Sequence, residues 1–286
     1  MRRHPPSSNA LLAWYEPRRH AYPWRRRPTP YRVLVSEVML QQTQAARVVP
    51  AFERFVASFP SVRSLAAAPA ADVLRVWDGL GYNRRALALS RAAREIAVRH
   101  GGRVPRDAAA LRSLPGVGPY TADAVAAIAF GEPVVAADVN VLRVTARAIL
   151  GSDPSEVSRA DVARAAAEWL NGSDPSAWNQ ALMDLGREVC RPAPRCGICP
   201  IAATCGFVRA GAPRAAGRRR AQPPFQGSMR QVRGAVVGAL RRRPSMSVRA
   251  LSHETGHPED RVREAVRAMR REGLVAVRGR SVRLPN

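Results

Sequence analysis

Four cysteines fall within sixteen residues, Cys190, Cys196, Cys199 and Cys205, and the rest of the chain has none. The Arg-rich start, residues 1–20, lacks the apolar stretch of a secretory signal. In a chain kept in a reducing compartment, such clustering points to metal ligation rather than disulfides. Four thiolates at the spacing Cys-x5-Cys-x2-Cys-x5-Cys suit a [4Fe–4S] cluster or, as the lesser alternative, a structural zinc, and spacing alone leaves the choice open. Whatever folds before about residue 206 has to gather these four side chains in one loop.

The chain around that loop reads as mainly α. Apolar residues recur every three or four positions, as in Val33, Leu34, Val38 and in Leu87, Leu89, Ala92, Ala93, Ile96. Breaks are expected at Pro60, Pro69, Gly79–Gly81, Gly101–Gly102, Pro115–Gly118, Gly131 and Pro154. Residues 207–227, with the run Arg218–Arg219–Arg220, read as a linker. Residues 228–286 form a smaller unit. A stripe of Val232, Val236, Val237 and Leu240 gives one helix, Ser247 caps a second that stops at Gly256, and Pro258 opens a third with Val262, Val266 and Met269 inward. Val275 and Val277, the turn 278–281, then Val282 and Leu284 alternate as a hairpin. Three helices and a hairpin make a winged-helix pattern. Arg263, Arg267 and Arg270 lie away from the apolar stripe of its third helix, as a DNA-contacting or a protein-docking face would.

Charge narrows the partner. The 286 residues carry 46 basic and 22 acidic side chains, a net charge of +24, which favours a polyanion and above all nucleic acid. Every basic residue is arginine, and lysine is absent. Chemistry through a lysine Schiff base is therefore closed to this chain. No run of 18 apolar residues exists, so no membrane span is expected, and a cytoplasmic, nucleoid-associated monomer is.

Three segments carry candidate chemistry. Leu114-Pro115-Gly116-Val117-Gly118-Pro119-Tyr120 sets two glycines before a helix whose free N–H groups form an anion site, the pattern of a hairpin that grips a DNA phosphate. Asp138 follows in an apolar setting, where it either caps the next helix or serves chemistry. Glu37, in Ser36-Glu37-Val38-Met39-Leu40-Gln41-Gln42-Thr43, shares the inward stripe of Val33 and Leu34. Desolvation there raises its pKa, as a general acid needs, unless an arginine pairs with it.

The hairpin, the downstream aspartate and the four-cysteine loop together resemble the endonuclease III superfamily of DNA glycosylases. Pro23-Trp24, Thr29-Pro30-Tyr31, Ser36 to Gln44 and Gly79-Leu80-Gly81-Tyr82 are similar to the A/G-specific adenine glycosylases, the MutY family, over residues 10 to 206. The resemblance implies a two-lobed helical core at 1–206, with a six-helix lobe at about 25–133 and a metal-cluster lobe from 1–24 and 134–206. It implies base-excision repair of adenine mispaired with guanine or 8-oxoguanine in double-stranded DNA, the base flipped into a pocket.

On this resemblance Glu37 is the acid that protonates the adenine. Asp138 stabilises the sugar cation, and Tyr120 and Asn140 hydrogen-bond around that aspartate. Gly116 and Gly118 hold a phosphate. Leu80 and Tyr82 form a wedge, Gln42 and Thr43 lie near the opposite-strand lesion, and Trp24 and Arg25 line the adenine pocket. Members with lyase activity carry lysine where Tyr120 stands, so a monofunctional enzyme is implied. Three departures stand out. The first cysteine gap is five residues instead of six, Asn83 replaces a second tyrosine, and the winged unit replaces the nudix-like domain of many members. A thymine or uracil mismatch glycosylase on the same fold, and a non-enzymatic winged-helix DNA binder, are the competing readings.

Overall fold

The computed structural model describes residues 5–211 and 224–286, so the arginine run 218–220 lies outside the described residues. Among the described residues the regular structure is helical except for a terminal hairpin and the bridge that Met246 adds to it. Helices α1 (Ser8–Tyr15), α2 (Pro23–Arg26), α3 (Pro30–Leu40), α4 (Ala45–Ser58), α5 (Val62–Ala67), α6 (Ala70–Val76), α7 (Arg84–Arg99) and α8 (Ala108–Arg112) come first. Then follow α9 (Pro119–Phe130), α10 (Val139–Thr145), α11 (Arg159–Trp169), α12 (Pro175–Glu188) and α13 (Gly206–Arg209). The last elements are α14 (Met229–Arg242), α15 (Val248–Thr255), α16 (Glu259–Arg271), β1 (Ala276–Arg278) and β2 (Ser281–Arg283). The sequence supplies the boundaries. Ser158, Asp174 and Ser247 accept first-turn amides as N-caps, and Gly131 and Gly256 end their helices in the left-handed region at φ 69° and 67°.

The residues fall into two compact units. The first collects 5–37, Pro105–Ser113 and 117–211; the second collects Val38–Val104, Leu114–Gly116 and 224–286. In the first unit α12 is the axis, packed by α1, α9 and α10. Its Trp178, Leu182 and Leu185 are fully buried, with Trp169 edge-on to Trp178 at 5.7 Å. Rings of that size dominate the core area, each burying on the order of 150–250 Å².

In the second unit α5 and α6 pack on α7, and Phe55 meets Phe59 and Trp77 edge to face. The C-terminal residues complete this unit. There α14, α15 and α16 bury Val236, Leu240, Leu251, Val262 and Met269, and β1 pairs antiparallel with β2, Val277 opposite Val282. Met246 adds a bridge to Val282, a third strand segment of the wing that no alternation in the sequence announces.

Candidate active site

The site in the first unit is built by three chain segments. Helix α3 delivers Glu37. Its neighbours Val33, Leu34 and Val35 are buried, so the carboxyl follows them inward and is 5% exposed. The start of α9 delivers Tyr120, whose hydroxyl donates to Glu37 Oε2 at 2.8 Å. The start of α10 delivers Asp138. Its Oδ1 accepts from the Asn140 and Val141 amides at 2.8 and 2.7 Å, and its Oδ2 accepts from Asn140 Nδ2 at 2.7 Å. Asp138 is thus the N-cap of α10 as well as a buried carboxylate. The segment before it is pinned by Asn179 of α12, which accepts from the Ala136 amide and donates to the Val134 carbonyl.

Burial acts on both acids, but they are unequally compensated. Burial pushes Glu37 up to about 7, with the Asp138 charge adding to the rise. The Tyr120 hydrogen bond and the Arg25 charge oppose it. Burial also raises Asp138, but two backbone amides, the Asn140 side chain and the Arg143 charge hold against it. Glu37 thus has one hydrogen bond opposing the rise, where Asp138 has three, an inequality that favours the acid form at Glu37 over the acid form at Asp138. Tyr120 is pushed well above 10 by burial and by both carboxylates, so its hydroxyl remains a donor.

Tyr120 differs from the expectation in its partner: it bonds Glu37, not Asp138. The orientation of Asp138 falls to Asn140 and, behind it, Arg143. The Arg143 guanidinium donates to Asn140 Oδ1, Gly186 O and Cys190 O, each at 2.7 Å. Gly186 makes room for this arrangement, since a Cβ there would lie 2.6 Å from Asn140 Cβ. Sequence reading missed Arg143, Asn179 and Gly186; an arginine among 46 and a glycine among 20 carry no signal of their own.

Trp24 and Arg25 sit in α2 of the same unit. Trp24 is buried and stacks on Tyr22 at 4.8 Å. Arg25 forms a two-pronged pair with Asp184 of α12, 2.7 and 3.0 Å long and almost wholly buried.

The four cysteines line one cavity with Arg147, Val144, Leu185 and Phe207. Among the described residues no three His, Cys, Asp or Glu groups are drawn tightly around one ion position; the thiols stand around the cavity walls. Burial raises Cys190 and pushes Cys199 up to about 11, and the other cysteines add to the rise. Such a set becomes four thiolates only around a cation, and an all-sulfur donor set suits iron–sulfur or zinc. Arg147, buried beside it, fixes the loop by donating to Arg191 O at 2.6 Å and Pro192 O at 3.1 Å.

The second unit holds the remaining candidates. Gln42 and Tyr82 are the non-glycine residues of the described chain with positive φ, 55° and 46°. Both flank one half-buried guanidinium, Arg85. It donates to Val38 O and Met39 O at 3.0 and 2.9 Å, to Gln41 O, to Thr43 Oγ1 at 3.0 Å and to Leu80 O at 3.3 Å. It also lies 5.5 Å over Trp77 and 5.3 Å over Tyr82. Left-handed backbone at non-glycine residues is strained, and this hub is what holds it.

Leu80 is buried, 3% exposed, so only Tyr82, 49% exposed, offers a ring to solvent. Gln42 is exposed. Of the two hairpin glycines, Gly116 is the demanding one: φ is 78° and an added Cβ would lie 2.6 Å from Ala88 Cβ. Gly118 has open space around it and caps α9 in an extended conformation.

The pattern of the HhH-GPD superfamily base excision DNA repair proteins matches residues 35–171. The adenine DNA glycosylase of Mycolicibacterium smegmatis is 41% identical over 233 residues, which cover 81% of this chain and 79% of that protein. Among solved structures, a thermostable thymine-DNA glycosylase superposes with a TM-score of 0.65 at 28% identity, covering 71% of this chain and 95% of that one. A trapped endonuclease III–DNA covalent intermediate superposes with a TM-score of 0.60 at 23% identity, covering 71% and 94%, and shares the fold. No helix among the described residues is long and apolar enough to cross a membrane.

Proposed function

This chain belongs to the adenine DNA glycosylase family of the HhH-GPD superfamily, and we propose that it hydrolyses the N-glycosidic bond of adenine mispaired with guanine or 8-oxoguanine in duplex DNA. One observation carries the reading: a buried glutamic acid, held near pKa 7, shares its electrostatic environment with an aspartate whose anion is fastened by three N–H donors. That is the division of labour glycoside hydrolysis requires. Glu37 in its acid form gives a proton to the leaving base. The bond to C1′ then breaks with its electron pair going to the base, and the Asp138 carboxylate stabilises the positive charge left on the sugar. Water completes the hydrolysis. Tyr120 holds the Glu37 carboxyl in place, and Asn140 with Arg143 holds Asp138.

The chain has no lysine for a Schiff base, so strand cleavage is not part of the reaction. The start of α9, with Gly118 open beside its free amides, is the phosphate grip. Tyr82 enters the duplex, where an aromatic ring replaces lost stacking worth about 1–3 kcal/mol. Gln42 and Thr43 face the opposite strand, and Trp24 and Arg25 border the adenine pocket. Cys190, Cys196, Cys199 and Cys205 would hold a [4Fe–4S] cluster, whose four Fe–S bonds would clamp the loop.

The structural neighbour named a thymine-DNA glycosylase is 28% identical, against 41% for the Mycolicibacterium smegmatis protein named an adenine DNA glycosylase. The test is single-turnover base release from A·8-oxoguanine, A·G, T·G and U·G duplexes, read by alkaline cleavage. Adenine release that disappears in Glu37→Gln supports the assignment. Release of thymine or uracil in its place, or no release at all, sinks it.

A further inference from the structure

The C-terminal residues 228–286 have no part in the chemistry above, yet they are tied to the corner that carries Tyr82. Arg241 of α14 donates to Leu74 O at 2.8 Å and to Asn83 Oδ1 at 3.2 Å, and it pairs with Asp78. Glu272, at the end of α16, accepts two bonds from Arg233 and lies 4.0 Å from Arg84. Asp78, Asn83 and Arg84 bracket the 79–82 loop, so two arginine latches fasten this unit beside the exposed tyrosine.

The charges on the latched unit are sorted. On α16 the acids sit mostly in the first turn, and Arg263 pairs with Glu259. Glu272 is taken up by Arg233. What remains on the C-terminal half of α16 is Arg267, Arg270 and Arg271, all exposed. The wing adds exposed Arg278 and Arg280. None of these five makes an ion pair among the described residues. Arginines in a last helical turn suit the helix dipole, but that accounts for Arg270 and Arg271 and not for Arg267 or the wing. Asp260 and the Arg263-paired Glu259 leave the start of α16 without net positive charge, which places the phosphate-binding charge on its C-terminal half.

We propose that the C-terminal unit is a second, sequence-independent contact to duplex DNA, gripping phosphates with Arg267, Arg270, Arg278 and Arg280 alongside the loop that carries Tyr82. The proposal rests on the glycosylase reading only for its ligand, duplex DNA.

The test uses the full-length protein and the variant R267A/R270A/R278A/R280A, which leaves the site and both latches intact. Affinity for an undamaged duplex is measured across a salt series, and single-turnover excision is measured in parallel at saturating enzyme. Each phosphate that is no longer neutralised lowers the slope of log K against log salt by about 0.9. The variant is expected to lose roughly 2–4 from the slope with its excision rate unchanged. The matching lysine set keeps the charge and is expected to restore the slope. The two half-variants, R267A/R270A and R278A/R280A, are each expected to show part of the loss.

An unchanged slope in the alanine variants, as expected if this face docks a protein instead, overturns the proposal. So does failure of the lysine set to restore the slope. Because binding is read on undamaged DNA, absent excision in both proteins refutes the glycosylase reading and leaves this result standing.

Discussion

Replacing Tyr120 with phenylalanine should move the enzyme's pH profile towards alkali. The Tyr120 hydroxyl donates to Glu37 Oε2 at 2.8 Å and so favours the ionised carboxylate, lowering a pKa that burial has raised to about 7. A hydrogen bond to a charged group is worth roughly 1.5–3 kcal/mol, and one pKa unit is about 1.4 kcal/mol, so losing it raises Glu37 by about 1–2 units. If water takes up part of the vacated position, the shift is about one unit. The catalytic form is the acid, so activity falls as pH rises through this pKa, and removing the hydroxyl pushes that fall from about 7 towards 8. At a pH half a unit above the wild-type midpoint, the acid fraction rises about threefold. The assay is the single-turnover excision rate of adenine as a function of pH in both proteins. A limb that stays in place, or moves to lower pH, refutes either the bond to the ionised carboxylate or the assignment of Glu37 as the acid.

Glu37→Gln should abolish excision and stabilise the fold at alkaline pH. A carboxyl raised from 4.5 to about 7 binds a proton more tightly folded than unfolded, so stability is lost as pH rises between those values. The neutral amide escapes that loss, a gain of up to about 3 kcal/mol at pH 8 that denaturant titration at acid and alkaline pH would measure. Arg85→Met should cost about 3 kcal/mol or more, because the carbonyls at the end of α3 and in the 79–82 loop lose a charged donor together; the melting temperature is the readout. The purified protein should contain iron and absorb visible light, and Cys196→Ser should lose both; a colourless, fully active zinc protein contradicts the [4Fe–4S] assignment.

The fold was legible where a local rule decides it. The N-caps at Ser247 and Asp138, the stop at Gly256 and the alternation of Val277 and Val282 are all properties of a few adjacent residues. Glu37 was legible because a helical stripe places it among Val33 and Leu34 before any tertiary contact is known. What the sequence hid is long-range and carried by arginine. Arg85 meets residues 42 to 47 positions away, and Arg241 meets residues more than 150 positions away. No periodicity marks them among so many exposed arginines. The partner of Tyr120 was hidden for the same reason: which of two nearby carboxylates a phenol meets depends on how three segments pack. Leu80 and Tyr82 look equivalent as a loop pair, and it takes the left-handed run at Gly79, Gly81 and Tyr82 to bury one and leave the other in solvent.

The two carboxylates explain why the donors at this site are so unevenly distributed. Two buried acids within electrostatic reach cannot both ionise cheaply, and an enzyme that needs one protonated and one charged has to break the tie. Composition cannot do it, since glutamic and aspartic acid differ little in water. The chain does it by counting donors. Asp138 sits at a helix start, where two amides are free by the geometry of the helix, and Asn140 two residues later supplies a third. Glu37 sits inside a helix, where every backbone amide near it is already used, and a single phenol reaches it. The asymmetry therefore comes from position in secondary structure, helix start against helix interior. The arginine behind Asn140 and the glycine that admits Asn140 exist to keep the richer side in register.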